Sequence, residues 1–514
     1  MTETPQPRVA DSDQDAVLAF LGSSDSATKR VDTHISIVFL GPHRVLKIKR
    51  AVWLPFLDYS TLDKRKRACE EELAINRRYA PELYRRVVPI TRGSGELQVG
   101  GDGPVIEWAV EMARFDENKT LDHLARAGEL SPELAEAVAD IVYDSHRCAM
   151  KSDGSTWLAS IAPIINRNND KFREQASLAS HTAEQLHKES HEQLTSVQNL
   201  LRERAAAGMV RRCHGDAHLG NIVLIDDKPV LFDAIEFDPV IATTDNLYDL
   251  AFPIMDLVYF GLKSAANRLF NRYLEKSWPE NGDALRSLPL FLSIRAAIRA
   301  NVLFTRCEQS GDEHTAKEAN SYFDLALQLV KPVRPSLVAI GGKSGTGKSV
   351  LARDAAALVG ISAGAVILRS DIIRKELLGV DQLVNLPETA YVPEVNERVY
   401  RTLTKRAGQI IAQGYSVILD AAFLRETERD KLSAEATRIG VDFRPIFLTA
   451  DQGVRLGRVA SRKHDASDAT SEVAQNQEEH GIGKLDWPAV DASGSPAQTL
   501  ERTLPVLLSP IAKA

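Results

Sequence analysis

A chain of 514 residues, 44% hydrophobic and 26% charged, has the composition of an ordinary soluble globular protein with core enough for two to four domains. Its net charge of −7 leaves no basic excess to neutralise phosphates, which argues against a general nucleic-acid binder. The start, MTETPQPRVADSDQD, has neither the positive end nor the apolar centre of a signal peptide. The apolar stretch Leu247 to Leu262 is cut by Asp249 and Asp256 and is too short to span a bilayer. A cytoplasmic protein without a membrane segment is expected. Cys69, Cys148, Cys213 and Cys307 form no C-x-x-C pair, so reduced thiols are expected rather than a zinc site or a disulfide framework.

In chain order, residues 1–30 are Ser-, Asp- and Pro-rich and read as a flexible lead-in with one short helix. From Thr33, THISIVFLGPHRVLKIKR alternates apolar and polar residues around Gly41-Pro42-His43, a β-hairpin. Lys47 and Lys49 share one face of its second strand, because side chains repeat with period two. A helix is expected from Leu62 to Tyr79, carrying Glu70, Glu71 and Glu72. Three antiparallel strands broken by glycine turns follow, the last ending near Met112 at a hinge. Residues 120–208 are helical by periodicity, with Ser131, Pro132 and Glu133 marking one helix start. His181, His187 and His191 read as a solvated helix face rather than a metal site, and His146 as a packed helix residue.

Val210 to Asp238, VRRCHGDAHLGNIVLIDDKPVLFDAIEFD, carries the chemistry of this half. His214, Asp216 and Asn221 stand as H-x-D-x-x-x-x-N. Phosphoryl transfer needs a carboxylate at the acceptor hydroxyl and oxygen ligands for Mg²⁺. Asp216 fits the first role, and Asn221 and Asp233 fit the second. The two apolar runs around Asp226-Asp227-Lys228-Pro229 predict a hairpin that carries Asn221 and Asp233 to one edge.

HGDAHLGNIVL followed by FDAIEFD resembles the aminoglycoside phosphotransferase family, whose fold is similar to that of protein kinases. The resemblance implies that a strand lysine meets the ATP phosphates, for which Lys47 is the choice over Lys49, and that a helix glutamate pairs with it, for which Glu72 is the choice. No G-x-G-x-x-G precedes Lys47. In its place Thr33, His34 and Ser36 could meet phosphate oxygens. The resemblance also implies that Asp249, in a DLA motif, supports the catalytic loop.

The prolines of Lys331-Pro332-Val333-Arg334-Pro335 mark a linker at 331–336. At once SLVAIGGKSGTGKSVLARDAAALV reads as strand, loop and helix. Gly342, Gly347, Lys348 and Ser349 match G-x-x-x-x-G-K-[ST], with Lys343, Ser344, Gly345 and Thr346 inside the loop. Backbone amides of such a loop wrap phosphates, Lys348 reaches the outer ones, and the Ser349 hydroxyl ligates Mg²⁺. A later strand ends in Asp420, placed to hold the Mg²⁺ shell. It is followed by Ala421 rather than a glutamate that would polarise a hydrolytic water. Asp371 at the end of another strand can orient an acceptor hydroxyl, with Arg374 one turn on. This S-D-x-x-R is similar to polynucleotide and small-molecule kinases of the zeta-toxin and gluconate kinase type. Arg455, Arg458 and Arg462 share one helix face and look like the lid arginines of such kinases, with Asp465 and Asp468 just beyond.

The expected architecture is an α+β protein-kinase-like bilobal domain at 31–330 (N-lobe about 31–115, C-lobe about 116–330), then an α/β P-loop domain with a parallel sheet at 337–514. That pairing resembles bacterial proteins with the same domain order. The expected function is ATP- and Mg²⁺-dependent phosphoryl transfer to a hydroxyl of a small molecule. The alternatives are one catalytic domain with a regulatory ATP-binding one, or a toxin-antitoxin-like nucleotide-binding protein.

Overall fold

The computed structural model describes residues 12–23, 28–33, 35–54, 57–461, 467–468, 475, 477 and 481–508. The chain forms two compact units, Met1–Ile164 with Asn199–Asp256, and Ile165–Gln198 with Leu257–Ala514. The first is α+β, with a curled antiparallel sheet. The second contains an α/β domain with an all-parallel sheet.

The first sheet runs in the order Lys29–Asp32, Ser36–Leu40, Arg44–Lys49, Val105–Ala113, Tyr84–Gly93, Glu96–Val99. Period-two alternation splits the strand Arg44–Lys49: Leu46 and Ile48 join a core with Ile37, Phe39 and Ile90, while Val45 faces Cys69 and Met112. Lys47 and Lys49 share the face of Val45, which lies toward the helix Leu62–Asn76. That helix is capped by Thr61, whose hydroxyl accepts from the Lys64 amide. It stops three residues short of the expected Tyr79, where the last bonds tighten to turns, Arg78 N–H to Ile75 O and Tyr79 N–H to Asn76 O.

The lead-in is not loose throughout. The helix Ser12–Ser23 buries Val17, Leu18 and Leu21 in the sheet core, and Gln14 donates to Lys49 O (2.9 Å) and Glu107 Oε2 (2.7 Å). The strand Lys29–Asp32 adds an edge to the sheet. Farther on, Ile222–Ile225 and Lys228–Leu231 form the expected hairpin, with Ile222 opposite Leu231. Asp226 and Asp227 both take positive φ (50° and 59°), the conformation of tight two-residue hairpin turns.

In the second unit the parallel strands are ordered Val366–Arg369, Val417–Asp420, Ser336–Gly342, Asp442–Thr449, Ala489–Asp491. The helix Lys348–Ala356 packs on them through Leu351, Ala352 and Ala355, over a core of Val338, Ile340, Ile418 and Ile446. The edge strand Val366–Arg369 is closed by the helix Lys263–Asn281. Asn267 Nδ2 donates to Ala363 O and Ala365 O (2.8 and 3.0 Å), and Asn271 Oδ1 accepts from the Ile367 amide at 2.8 Å. Among the described residues one helix, Leu285–Ser310, is long and apolar enough to cross a membrane, and 72% of its apolar window is buried like a core helix. The four cysteines are free thiols.

Candidate active sites

The first site is assembled from three elements of the first unit. Lys47 Nζ lies 2.6 Å from Asp233 Oδ1 and 2.8 Å from Glu72 Oε1, and Lys49 Nζ lies 2.6 Å from Glu72 Oε2. Lys49 also donates to Glu236 Oε1. Glu72 therefore holds both lysines, while Glu70 and Glu71 stay exposed. Burial works against every charge here, and the ion pairs outweigh it for four of them: Glu72 and Asp233 are held below their ordinary carboxylate values, and Lys47 and Lys49 are raised above their own. For Glu236 burial wins and its carboxyl is pushed up. Lys47 and Lys49 differ in access: the Lys47 side chain keeps 12% exposure and that of Lys49 none.

The loop opposite is held by backbone and carboxylate contacts. His214 Nε2 donates to Phe232 O (3.0 Å), and burial lowers its pKa, which favours the neutral ring. Gly215, at φ 84°, donates its amide to Asp249 Oδ1 at 2.9 Å, and Asp249 Oδ2 lies 3.1 Å from His146 Nε2. Asp256 accepts from the Leu219 amide at 3.0 Å. Asp216 is thereby presented with its side chain 39% exposed. Asn221 Nδ2 donates to Asp216 O (2.9 Å) and Asp216 Oδ2 (3.2 Å), so its amide oxygen is the atom left to face a cation. The Phe232 amide donates to Asn221 O at 3.0 Å, which brings Asp233 beside Asn221. Asp233 sits at φ 59° with its amide on the Tyr84 hydroxyl (3.2 Å), and Asn76 clamps Ala234 through N–H (2.7 Å) and C=O (3.3 Å). An ionised carboxylate and an amide oxygen are the hard donors that Mg²⁺ takes.

Ser36 is 1% exposed and stands opposite Lys49 in register, so its buried hydroxyl lies on the sheet face that carries Lys49. Thr33 Oγ1 accepts from the Ser36 amide and donates to Ser36 O, both at 2.9 Å, which ties the turn together. His34 lies outside the described residues.

The second site is one contiguous loop. Gly342, Gly345 and Gly347 take φ of 142°, 84° and 92°; a Cβ at Gly345 would meet Arg455 O at 2.5 Å, so the path of the loop requires glycine. Lys348 Nζ donates to Gly342 O and Lys343 O (2.9 and 3.1 Å), and Thr346 Oγ1 donates to Lys343 O (2.9 Å). Ile340 pairs with Asp420 across parallel strands, which puts that carboxylate beside the loop. Residues Ser344 to Leu351 line a cavity of about 710 Å³ together with Asp371, Arg374, Tyr400, Asp420 and Glu428.

Asp371 stands just past the carboxyl end of the strand Val366–Arg369, in the first turn of the helix Ser370–Leu378. Burial and the neighbouring Asp420 raise its pKa against the opposing pull of Arg369 and Lys348. Arg374 is 5% exposed, donates to Ala390 O at 2.8 Å and stacks over Tyr391 at 4.5 Å. Arg458 lines the cavity but gives its guanidinium to Ala492 O and Gly494 O (2.8 and 2.7 Å), and Arg455 gives its own to Ser344 O (3.0 Å). Asp468 binds Lys375 and Tyr391. Arg462 and Asp465 lie outside the described residues.

Residues 41–262 match the phosphotransferase enzyme family, and residues 337–480 match an AAA domain. The chain thus joins a domain similar to the phosphotransferase enzyme family to one similar to the AAA domain, on the bilobal α+β and parallel α/β folds. Uncharacterized proteins of Mycobacterium tuberculosis and Mycobacterium bovis are each 28% identical to it over 456 residues, 86% of this chain and 88% of theirs. Among solved structures, a choline/ethanolamine kinase family protein from Mesorhizobium loti covers 62% of this chain and 99% of its own at 12% identity (TM-score 0.35). A gluconokinase from Sinorhizobium meliloti covers 34% and 93% at 22% identity (TM-score 0.26).

Four residues of the kinase-like domain escaped sequence reasoning: Asn76, Tyr84, Lys49 as a second partner of Glu72, and Glu236. Glu236 and Asn76 each had a signal, a charged and an amide side chain inside otherwise packed segments. Nothing in the sequence joins Tyr84 to Asp233, 149 positions away.

Proposed function

We propose that the chain is an ATP- and Mg²⁺-dependent phosphotransferase acting on hydroxyl groups of small molecules in the cytoplasm, with a nucleotide site in each domain. The observation that carries this reading is the convergence of Lys47, Glu72 and Asp233 beside the Asp216–Asn221 pair. In the kinase-like domain Lys47, fixed by Glu72, meets the nucleotide phosphates, and Asp216 orients and deprotonates the acceptor hydroxyl. Asn221 and Asp233 would hold Mg²⁺, which when bound neutralises charge on the triphosphate.

In the P-loop domain the loop amides and Lys348 hold the second nucleotide, and Ser349 and Asp420 would hold its metal. Asp371 faces the acceptor. Arg374, whose Nε is buried without a hydrogen-bond partner, takes an oxygen of that acceptor. The S-D-x-x-R pattern supports a kinase of the zeta-toxin, gluconate kinase or polynucleotide kinase type. The test is a labelled-ATP screen of hydroxylated metabolites. Transfer to at least one acceptor, lost in Asp216→Asn or in Lys348→Ala, is expected; transfer that survives both substitutions combined contradicts the reading.

A further inference from the structure

The carboxyl edge of the P-loop sheet carries a positive group to which the phosphate chemistry assigns no part. Arg369 is the last residue of the strand Val366–Arg369 and stands opposite Asp420 in parallel register. Its Nε donates to Asp420 Oδ2 and its Nη2 to Ser349 Oγ, each at 3.2 Å, and its side chain is 16% exposed. Those two oxygens are the pair that a P-loop presents to a divalent ion. A guanidinium bridging them stands in for that ion: a positive charge between two oxygens, on a planar fork that stays protonated at any working pH. Its charge also opposes the effect of burial and Asp420 on Asp371.

We propose that Arg369 is the resident cation of the P-loop site, holding Ser349 and Asp420 in place without metal, so that a divalent ion gains both oxygens only by displacing it. The inference rests on reading this loop as a metal–nucleotide site. Its consequence is that metal affinity is held down until phosphate oxygens arrive to receive the guanidinium. A merely structural Arg369–Asp420 pair has the opposite consequence, since its loss would loosen Asp420 and weaken metal binding.

Mn²⁺ titration of the full chain without nucleotide, followed by calorimetry, separates the two. Arg369→Gln should bind Mn²⁺ about tenfold or more tightly than wild type, the effect of removing one unit charge from beside the ion. Adding Asp420→Asn should abolish that gain. Unchanged or weaker Mn²⁺ binding in Arg369→Gln overturns the proposal. If that variant does not fold, Arg369→Lys decides on the same reading, because a compact ammonium cannot bridge both oxygens: tighter Mn²⁺ binding supports the proposal and unchanged affinity overturns it. No nucleotide is present, so the outcome is independent of ATP binding at this loop, which ATP calorimetry on Lys348→Ala tests separately.

Discussion

The two sites reach phosphate chemistry by opposite constructions. In the P-loop domain eight consecutive residues, Gly342 to Ser349, make the cradle, and positive-φ glycines set its path. In the kinase-like domain Lys47 comes from a strand, Glu72 from a helix 25 positions on, and Asp233 from a hairpin 186 positions from Lys47. Local backbone geometry is robust to the loss of one side chain. A site held together by buried ion pairs is not, because removing one partner strands the others without water. Substitutions in the buried ion-pair network of the first site should therefore damage fold and function together, and those in the second site, like those at the exposed Asp216, should act chiefly on function.

The largest effect expected is on rate. Asp216→Asn keeps the shape of the loop and loses the base, so transfer by the kinase-like domain should fall about 10²-fold to 10⁴-fold with ATP binding nearly intact. Steady-state assays in a Lys348→Ala background measure it, and wild-type turnover there removes Asp216 from the chemistry.

Next is Glu72→Gln, which leaves Lys47 and Lys49 sharing Asp233 and Glu236. A loss of about 3–5 kcal/mol is expected, as for other buried pairs deprived of one partner. Denaturant unfolding reads it. The pH dependence follows from the same network. Glu72 and Asp233 have lowered pKa values when folded, so their contribution is present above the ordinary carboxylate range and lost as pH falls through the folded values. Lys47 has a raised one, so its contribution is full below its ordinary value and lost only as pH rises through the folded value. Glu72, Asp233 and Lys47 should leave stability flat between about pH 4.5 and pH 10 and falling on the acid side, while the raised Glu236 carboxyl subtracts stability as pH rises from the ordinary carboxylate value through its folded one. Glu72→Gln should shrink that acid-side fall.

Much of this contrast was legible beforehand, and the rest was hidden for definite reasons. The P-loop declares itself because its ligands are contiguous and its glycines have one physical use. His214, Asp216, Asn221 and Asp233 are legible for a similar reason, as they lie in one short segment, in the loop before a hairpin and at its two ends. The two-lysine arrangement was not, because period-two alternation puts Lys47 and Lys49 on the same face and only the packed helix shows that one glutamate serves both. Arg458 illustrates the converse: a helical spacing of arginines identifies a face, while here its guanidinium goes to the carbonyls of Ala492 and Gly494. The lead-in looked loose because its composition is polar, yet the buried stripe of Val17, Leu18 and Leu21 needs only three apolar residues.

The smallest effect concerns Asp371. Its raised pKa means that the ionised carboxylate is costly in the folded state; that cost is present above the folded value and absent below the ordinary one. Asp371→Asn should therefore raise Tm slightly at pH 7 and leave it unchanged near pH 3, while lowering transfer by the P-loop domain. A lowered Tm at pH 7 would show that the carboxylate is a structural anchor instead.

The claim that the chain holds two independent nucleotide sites is tested most directly by ATP stoichiometry in the presence of Mg²⁺. Calorimetry should give two sites per chain for wild type, one for Lys348→Ala and close to none for Lys348→Ala with Asp233→Ala. A wild-type stoichiometry of one, abolished by Lys348→Ala alone, would contradict it and leave the kinase-like domain without a working nucleotide site.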